Sequence, residues 1–181
     1  MTDPHWIKQL NKLLERPDIG CAAPLLMYQD NTIQHIGIEY NPITGLPYHP
    51  LIGQDLATVK SSNTFFPASV TGACLAIKSI NFAKVQGFNP IYVNGMEDVD
   101  LCLNIRKKLR LKCALKPSIR LFHFEGKSPG RGKYILGNRS IFIHKWKQTI
   151  LNEFVSDDQN AIYCTRDSDL KDKNIKIFYK Q

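Results

Sequence analysis

At 181 residues and 43% hydrophobic content, the chain is of a size for one globular domain with an ordinary buried core. Its 24 Lys and Arg against 16 Asp and Glu give a formal charge of +8, which invites a partner rich in negative charge: a nucleic acid, an anionic membrane face or phosphate groups. Five cysteines at 21, 74, 102, 113 and 164 form no C-x-x-C pair, so buried free thiols in a reducing compartment are expected rather than a disulfide frame or a cysteine zinc site. No charged-then-apolar leader opens the sequence, and no apolar run reaches the roughly 18 to 20 residues that cross a bilayer. The chain reads as cytoplasmic.

Taken in order, Asp3-Pro4-His5-Trp6 starts a helix in which Trp6, Leu10, Leu13 and Leu14 share a face, and Arg16-Pro17 ends it. Residues 19–28 are apolar and predict a strand with an edge or bend at Pro24. After a turn at Gln29-Asp30-Asn31, residues 32–40 predict the return strand of a hairpin. Residues 41–67 carry six Pro or Gly breakers and read as a long loop with one short helix. His49 lies there, and a lone loop histidine is assigned no role.

Residues 69–78 predict a strand, and Ser79 caps a short helix that Gly87 ends. Asn94-Gly95 marks a turn into the most informative stretch, Glu97-Asp98-Val99-Asp100-Leu101-Cys102-Leu103. Val99, Cys102, Ile105 and Leu109 recur at helical spacing, with acids in the first turn and Arg106, Lys107, Lys108 and Arg110 near the end. Such a charge order complements a helix dipole by itself, at about 0.3 to 1 kcal/mol per group. Capping therefore accounts for these acids as well as chemistry does. Residues 112–114 predict a strand that Pro117 breaks and residues 120–124 resume. A basic Gly-rich loop over 126–132 and a basic helix over 134–150 follow. Residues 151–181 change composition and read as an appendage to a domain over 1–150.

The ordered set Thr71-Gly72-Ala73-Cys74, Gly87-Phe88-Asn89-Pro90, Glu97-Asp98-Val99-Asp100-Leu101-Cys102-Leu103 and Phe122-His123-Phe124-Glu125-Gly126-Lys127-Ser128 resembles the second half of family 2 glycosyltransferases. These are inverting sugar-nucleotide enzymes of the GT-A fold, and the likeness is nearest to rhamnosyltransferase-like members that build bacterial surface polysaccharides. It covers roughly residues 4–146, including Pro17 to Leu26 and Asp30 to Gly37. The fold it implies is α/β, a mixed-sheet half domain with flanking helices. Complete members carry nucleotide-binding strands and an Asp-x-Asp pair ahead of the helix at Trp6, so the chain is expected to be the acceptor and catalytic half. Asp167-Ser168-Asp169 spells that motif on the wrong side of His123 and is read as coincidence.

The resemblance also implies roles. Asp98 would be the base that deprotonates an acceptor hydroxyl, and Glu97 would hold acceptor hydroxyls or local geometry. His123 would be a ligand to Mn or Mg, an imidazole among oxygen donors. Thr71 and Gly72 would approach the sugar, and Lys127 and Arg131 would hold the diphosphate. The structural alternatives are a satisfied strand-end histidine for His123, a tight packing position for Gly72 and solvated loop charges for Lys127 and Arg131. Asp100 is expected to cap or pair. The implied partners are a nucleotide-sugar donor and a glycan or lipid-linked acceptor, with peripheral contact to an anionic membrane and no nucleic acid, since no RNA-module signature accompanies the charge.

Overall fold

The structure, a computed structural model, describes residues 4–124 and 131–154. It is mixed α/β, with a mixed sheet and flanking helices. Strand β1 (Ile19–Met27) is buried along its whole length and organises the sheet. Strand β6 (Lys112–Phe122) runs parallel along one edge of β1, while β2 (Ile33–His35) and β5 (Ala76–Ile77) pair antiparallel with its two ends. A strand paired on both edges and covered on both faces reads as a continuous apolar run, as Ile19-Gly20-Cys21-Ala22-Ala23-Pro24-Leu25-Leu26-Met27 does. A separate two-stranded ladder joins β3 (Glu39–Tyr40) to β4 (Pro47–Tyr48).

The proline expected to mark an edge sits in this central strand. The ladder absorbs it: Pro24 lies opposite Lys116, the next residue, Leu25, lies opposite Arg120, and Pro117 falls in the bulge between them. The two predicted strand fragments around Pro117 are therefore one irregular strand. The expected strand over 69–78 survives only as β5, because the N–H groups of residues 71 and 72 bond to side chains of the cleft described below. The predicted return strand over 32–40 is broken between β2 and β3 at Gly37, whose φ of 103° is costly for any residue with a Cβ.

Helix α1 (Trp6–Leu14) lays Leu10, Leu13 and Leu14 on one face of the sheet, against Ile19, Ala22, Ala114 and Ile119. Helix α3 (Glu97–Leu109) covers the other face through Leu101, Cys102 and Ile105. Its opposite side, Val99 and Leu103, meets Phe142, Trp146 and Ile150 of helix α4 (Ile135–Glu153). Helix α3 is thus buried all round at residues 99–105, wider than the single stripe its spacing predicts. Each fully buried large apolar side chain here contributes about 1.5 to 3 kcal/mol, so α3 is fixed from both sides. A short helix, α2 (Ser79–Lys84), starts without a side-chain cap from Ser79.

Helix α4 runs past residue 150, and residues 155–181 lie outside the described residues. The four described cysteines are free. Three of them, Cys21, Cys102 and Cys113, bring their Sγ atoms within 4.8 Å of one another in the dry core between β1, α3 and β6. Among the described residues, no helix is long and apolar enough to cross a membrane.

Candidate active site

A cleft of about 920 Å³ opens at the N-terminal end of α3. Asp98, Glu97, Thr71, Gly72 and His123 all line it, together with Gln34, His35, His49 and the apolar faces of Tyr28, Phe88, Pro90 and Tyr92. Five segments far apart in sequence meet there. Of the remaining site residues expected from the sequence, Lys127 lies outside the described residues, as does the side chain of Arg131.

The turn that delivers the acids is conformationally unusual. Asn94, Gly95 and Met96 all have positive φ, at 53°, 152° and 75°. For Asn and Met this conformation costs free energy that the surroundings must supply. Asn138 of α4 supplies part of it: its Nδ2 donates to the Val93 and Gly95 carbonyls, at 2.8 and 3.0 Å, and its Oδ1 accepts from the Val93 N–H. The Gly95 N–H donates to Glu97 Oε2 at 2.6 Å, so Glu97 braces the same turn from inside the cleft.

Asp98 is held at both oxygens. Oδ2 accepts the Gly72 N–H at 2.7 Å and the Thr71 hydroxyl at 3.3 Å, and Oδ1 accepts the Val99 N–H at 2.8 Å. A Cβ on residue 72 would lie 3.1 Å from the Asp98 Cβ, so the missing side chain at Gly72 is what lets the carboxylate lie against this backbone. Burial pushes the Asp98 carboxyl above the ordinary carboxylate range; the Gly72 N–H, the Val99 N–H and His49 pull it partly back. A carboxylate fixed in this way is a proton acceptor whose basicity exceeds that of an exposed aspartate.

Two residues on, Asp100 turns the other way. Its side chain is 1% exposed, and Oδ1 accepts from Lys145 Nζ and Trp146 Nε1, both at 2.6 Å, and from the Tyr92 hydroxyl at 3.2 Å. Asn104 Nδ2 donates to Oδ2 at 2.9 Å. The expected pairing of Asp100 is thus a tie between α3 and α4 beneath the cleft.

His123 closes β6 at the far wall. Gln34 Nε2 donates to the His123 carbonyl at 3.2 Å, which requires Gln34 Oε1 to face the ring, where it accepts from His123 Nδ1 at 2.7 Å. Nδ1 therefore carries a proton, and Nε2 is the nitrogen that Gln34 leaves for another partner. An imidazole oriented through its other nitrogen in this way is prepared to ligate a cation or accept a hydrogen bond. Among the described residues, however, the only three metal-capable side chains with ligand atoms within 4.8 Å of one another are the core cysteines. One oriented nitrogen is less than the oxygen-rich set that Mn or Mg takes.

Gln34, His35, His49 and Asn138 carry no signal as isolated residues. Gln34 and His35 stand in the strand that resembles the family's hairpin, which marks the segment and not the role. The partners of all four come together only in the fold.

No protein-family model matches the chain. It is 31% identical over 135 residues to the uncharacterized protein y4gI of Sinorhizobium fredii, an alignment covering 70% of the chain and 14% of that protein. It is 28% identical over 134 residues to the O-antigen biosynthesis protein RfbC of Myxococcus xanthus, covering 71% of the chain and 10% of that protein. The chain thus spans a small part of the length of both curated relatives.

Proposed function

We propose that this cleft transfers a sugar, with inversion, from a nucleotide-sugar donor to a hydroxyl of a glycan or lipid-linked acceptor in polysaccharide biosynthesis. The observation that carries the reading is Asp98, half-buried and held at both oxygens, on the same cleft as the oriented His123. The likeness to an O-antigen biosynthesis protein and the ordered motifs of family 2 glycosyltransferases point the same way. The protein works in the cytoplasm, in peripheral contact with an anionic membrane face to which its +8 charge draws it.

In this reaction the acceptor oxygen forms a bond to the anomeric carbon, the bond from that carbon to the diphosphate breaks, and the hydroxyl proton passes to Asp98. The Gly72 and Val99 N–H groups keep the carboxylate aimed while it is charged, and Glu97 fixes the turn that presents it. Tyr28, Phe88 and Pro90 line the cleft with apolar surface on which a sugar ring can rest. Thr71 and Gly72 bring backbone to the same point. Lys127 and Arg131 would neutralise the leaving diphosphate. A divalent cation would add to that neutralisation, with His123 Nε2 as one ligand.

A second reading has its own observation. Among the described residues no acid joins His123 in a ligand set, as a glycan-binding module without transfer activity would also show. Mass spectrometry of short oligosaccharide acceptors incubated with nucleoside diphosphate sugars and Mn separates the two. Sugar addition by the wild type that Asp98→Asn abolishes supports transfer. Equal addition by both refutes the base assignment. Oligosaccharide binding without any addition establishes the binding module in its place.

A further inference from the structure

The cleft holds a second device that the transfer chemistry above leaves unused. His35 is 1% exposed, and its Nε2 lies 3.3 Å from both the Gly37 and Thr71 backbone nitrogens, each of which can only donate. That nitrogen must therefore be the unprotonated one, so His35 carries its proton on Nδ1. Its Nδ1 is 3.1 Å from Nδ1 of His49, with the rings edge to face at 73°. Two protons cannot share that contact, so His49 Nδ1 is the acceptor and its proton sits on Nε2. Burial keeps both imidazoles below their ordinary range and hence neutral, with the His35 ring the more strongly displaced.

We propose that His49 Nε2–H is a fixed hydrogen-bond donor for a sugar hydroxyl in this cleft, with His35 as the residue that sets its tautomer. His49 lines the cleft with Asp98, and the two are close enough for each to shift the other's charge equilibrium. In an imidazole the two nitrogens face nearly opposite ways. With Nδ1 engaged by His35, Nε2 is the nitrogen left for a ligand in the cleft that His49 lines. Asp98 accepts a proton while His49 gives a hydrogen bond, a pairing suited to two neighbouring hydroxyls on one ring. The ligand class is a sugar with a vicinal diol. The acceptor sugar of the proposed transfer belongs to that class, so the assignment deepens that reading and rests on it.

Long-range proton–nitrogen NMR of the full chain at neutral pH reads the tautomers directly and does not depend on turnover. The expected spectrum shows a protonated Nδ1 for His35 and a protonated Nε2 for His49; the reverse pattern at His49 overturns the proposal. A second arm titrates methyl α-D-glucopyranoside and its 2-deoxy and 3-deoxy analogues into wild type, His49→Gln and His49→Phe. Gln keeps an N–H donor near the Nε2 position and should bind the parent glycoside within about threefold of wild type, whereas Phe should lose about tenfold, the effect of one hydrogen bond. Loss of one ring hydroxyl should weaken wild type but not His49→Phe. Equal binding by Gln and Phe variants, or no binding of the glycoside by wild type, refutes the donor role. If Asp98→Asn leaves sugar transfer unchanged, the transferase reading falls while the tautomers and glycoside binding stand.

Discussion

Asp98 and Asp100 occupy the same turn of the same helix and do opposite work. Asp98 meets only weak neutral donors, two backbone N–H groups and a hydroxyl, on the wall of an open cleft. Asp100 meets a lysine, an indole, a phenol and an amide with almost no exposure. The difference follows from helical geometry. Residues two apart point about 200° away from each other, so one acid faces the opening while the other faces α4. What surrounds a carboxylate, rather than its place in a motif, decides whether it can exchange a proton.

The largest effect should come from the cleft side of this pair. Asp98→Asn should lower transfer by about 10²- to 10⁴-fold, the range for losing a general base, with little change in the thermal midpoint. In the wild type the acid limb of the pH–rate profile should lie above the ordinary carboxylate range, because only ionised Asp98 accepts a proton and burial raises its pKa. Asp100→Ala should do the reverse, costing about 3 kcal/mol in chemical denaturation by leaving the Trp146 indole N–H without an acceptor and Lys145 without its ion-pair partner. Equal stability losses at the two positions would remove the contrast.

A third acid sharpens it. Glu39 on β3 is largely buried, and burial pushes its carboxyl from 4.5 to about 7, only partly offset by the Ala68 N–H and Arg106. The folded state holds this proton more tightly than the unfolded chain. Glu39 therefore costs nothing below pH 4.5, and the penalty grows until about pH 7, above which it is constant. Glu39→Gln should stabilise by an amount that rises across that window to on the order of 3 kcal/mol, at about 1.4 kcal/mol per pKa unit. A gain independent of pH would contradict the buried-acid account. The smallest effect belongs to Gly72→Ala: the new Cβ would press on Asp98 and should reduce transfer about tenfold while changing stability by less than about 1 kcal/mol.

What the sequence made legible were local regularities. Helix α3 declares itself through apolar residues at steps of three and four with acids before bases, and β1 through an apolar run interrupted at Pro24. The likeness of order and spacing also brought forward Asp98 and His123, which the fold places on one cleft. What stayed hidden depends on partners far along the chain. Residues 69–78 look like a strand, yet the Thr71 N–H serves His35, 36 residues earlier, and the Gly72 N–H serves Asp98, 26 residues later. His49 reads as a loop histidine until the break at Gly37 brings His35 beside it. The tie of Asp100 to Lys145 spans 45 residues that no periodicity relates.

The adjacent peptides at Thr71 and Gly72 have a further consequence. One orients the imidazole pair and the next orients the carboxylate, so a single Cα-to-Cα step of about 3.8 Å acts as a ruler between the two halves of the site. Neither arm can be adjusted alone. A twist of that one linkage would retune both at once, and sugars would be sorted by whether their oxygen spacing matches a length written into the main chain.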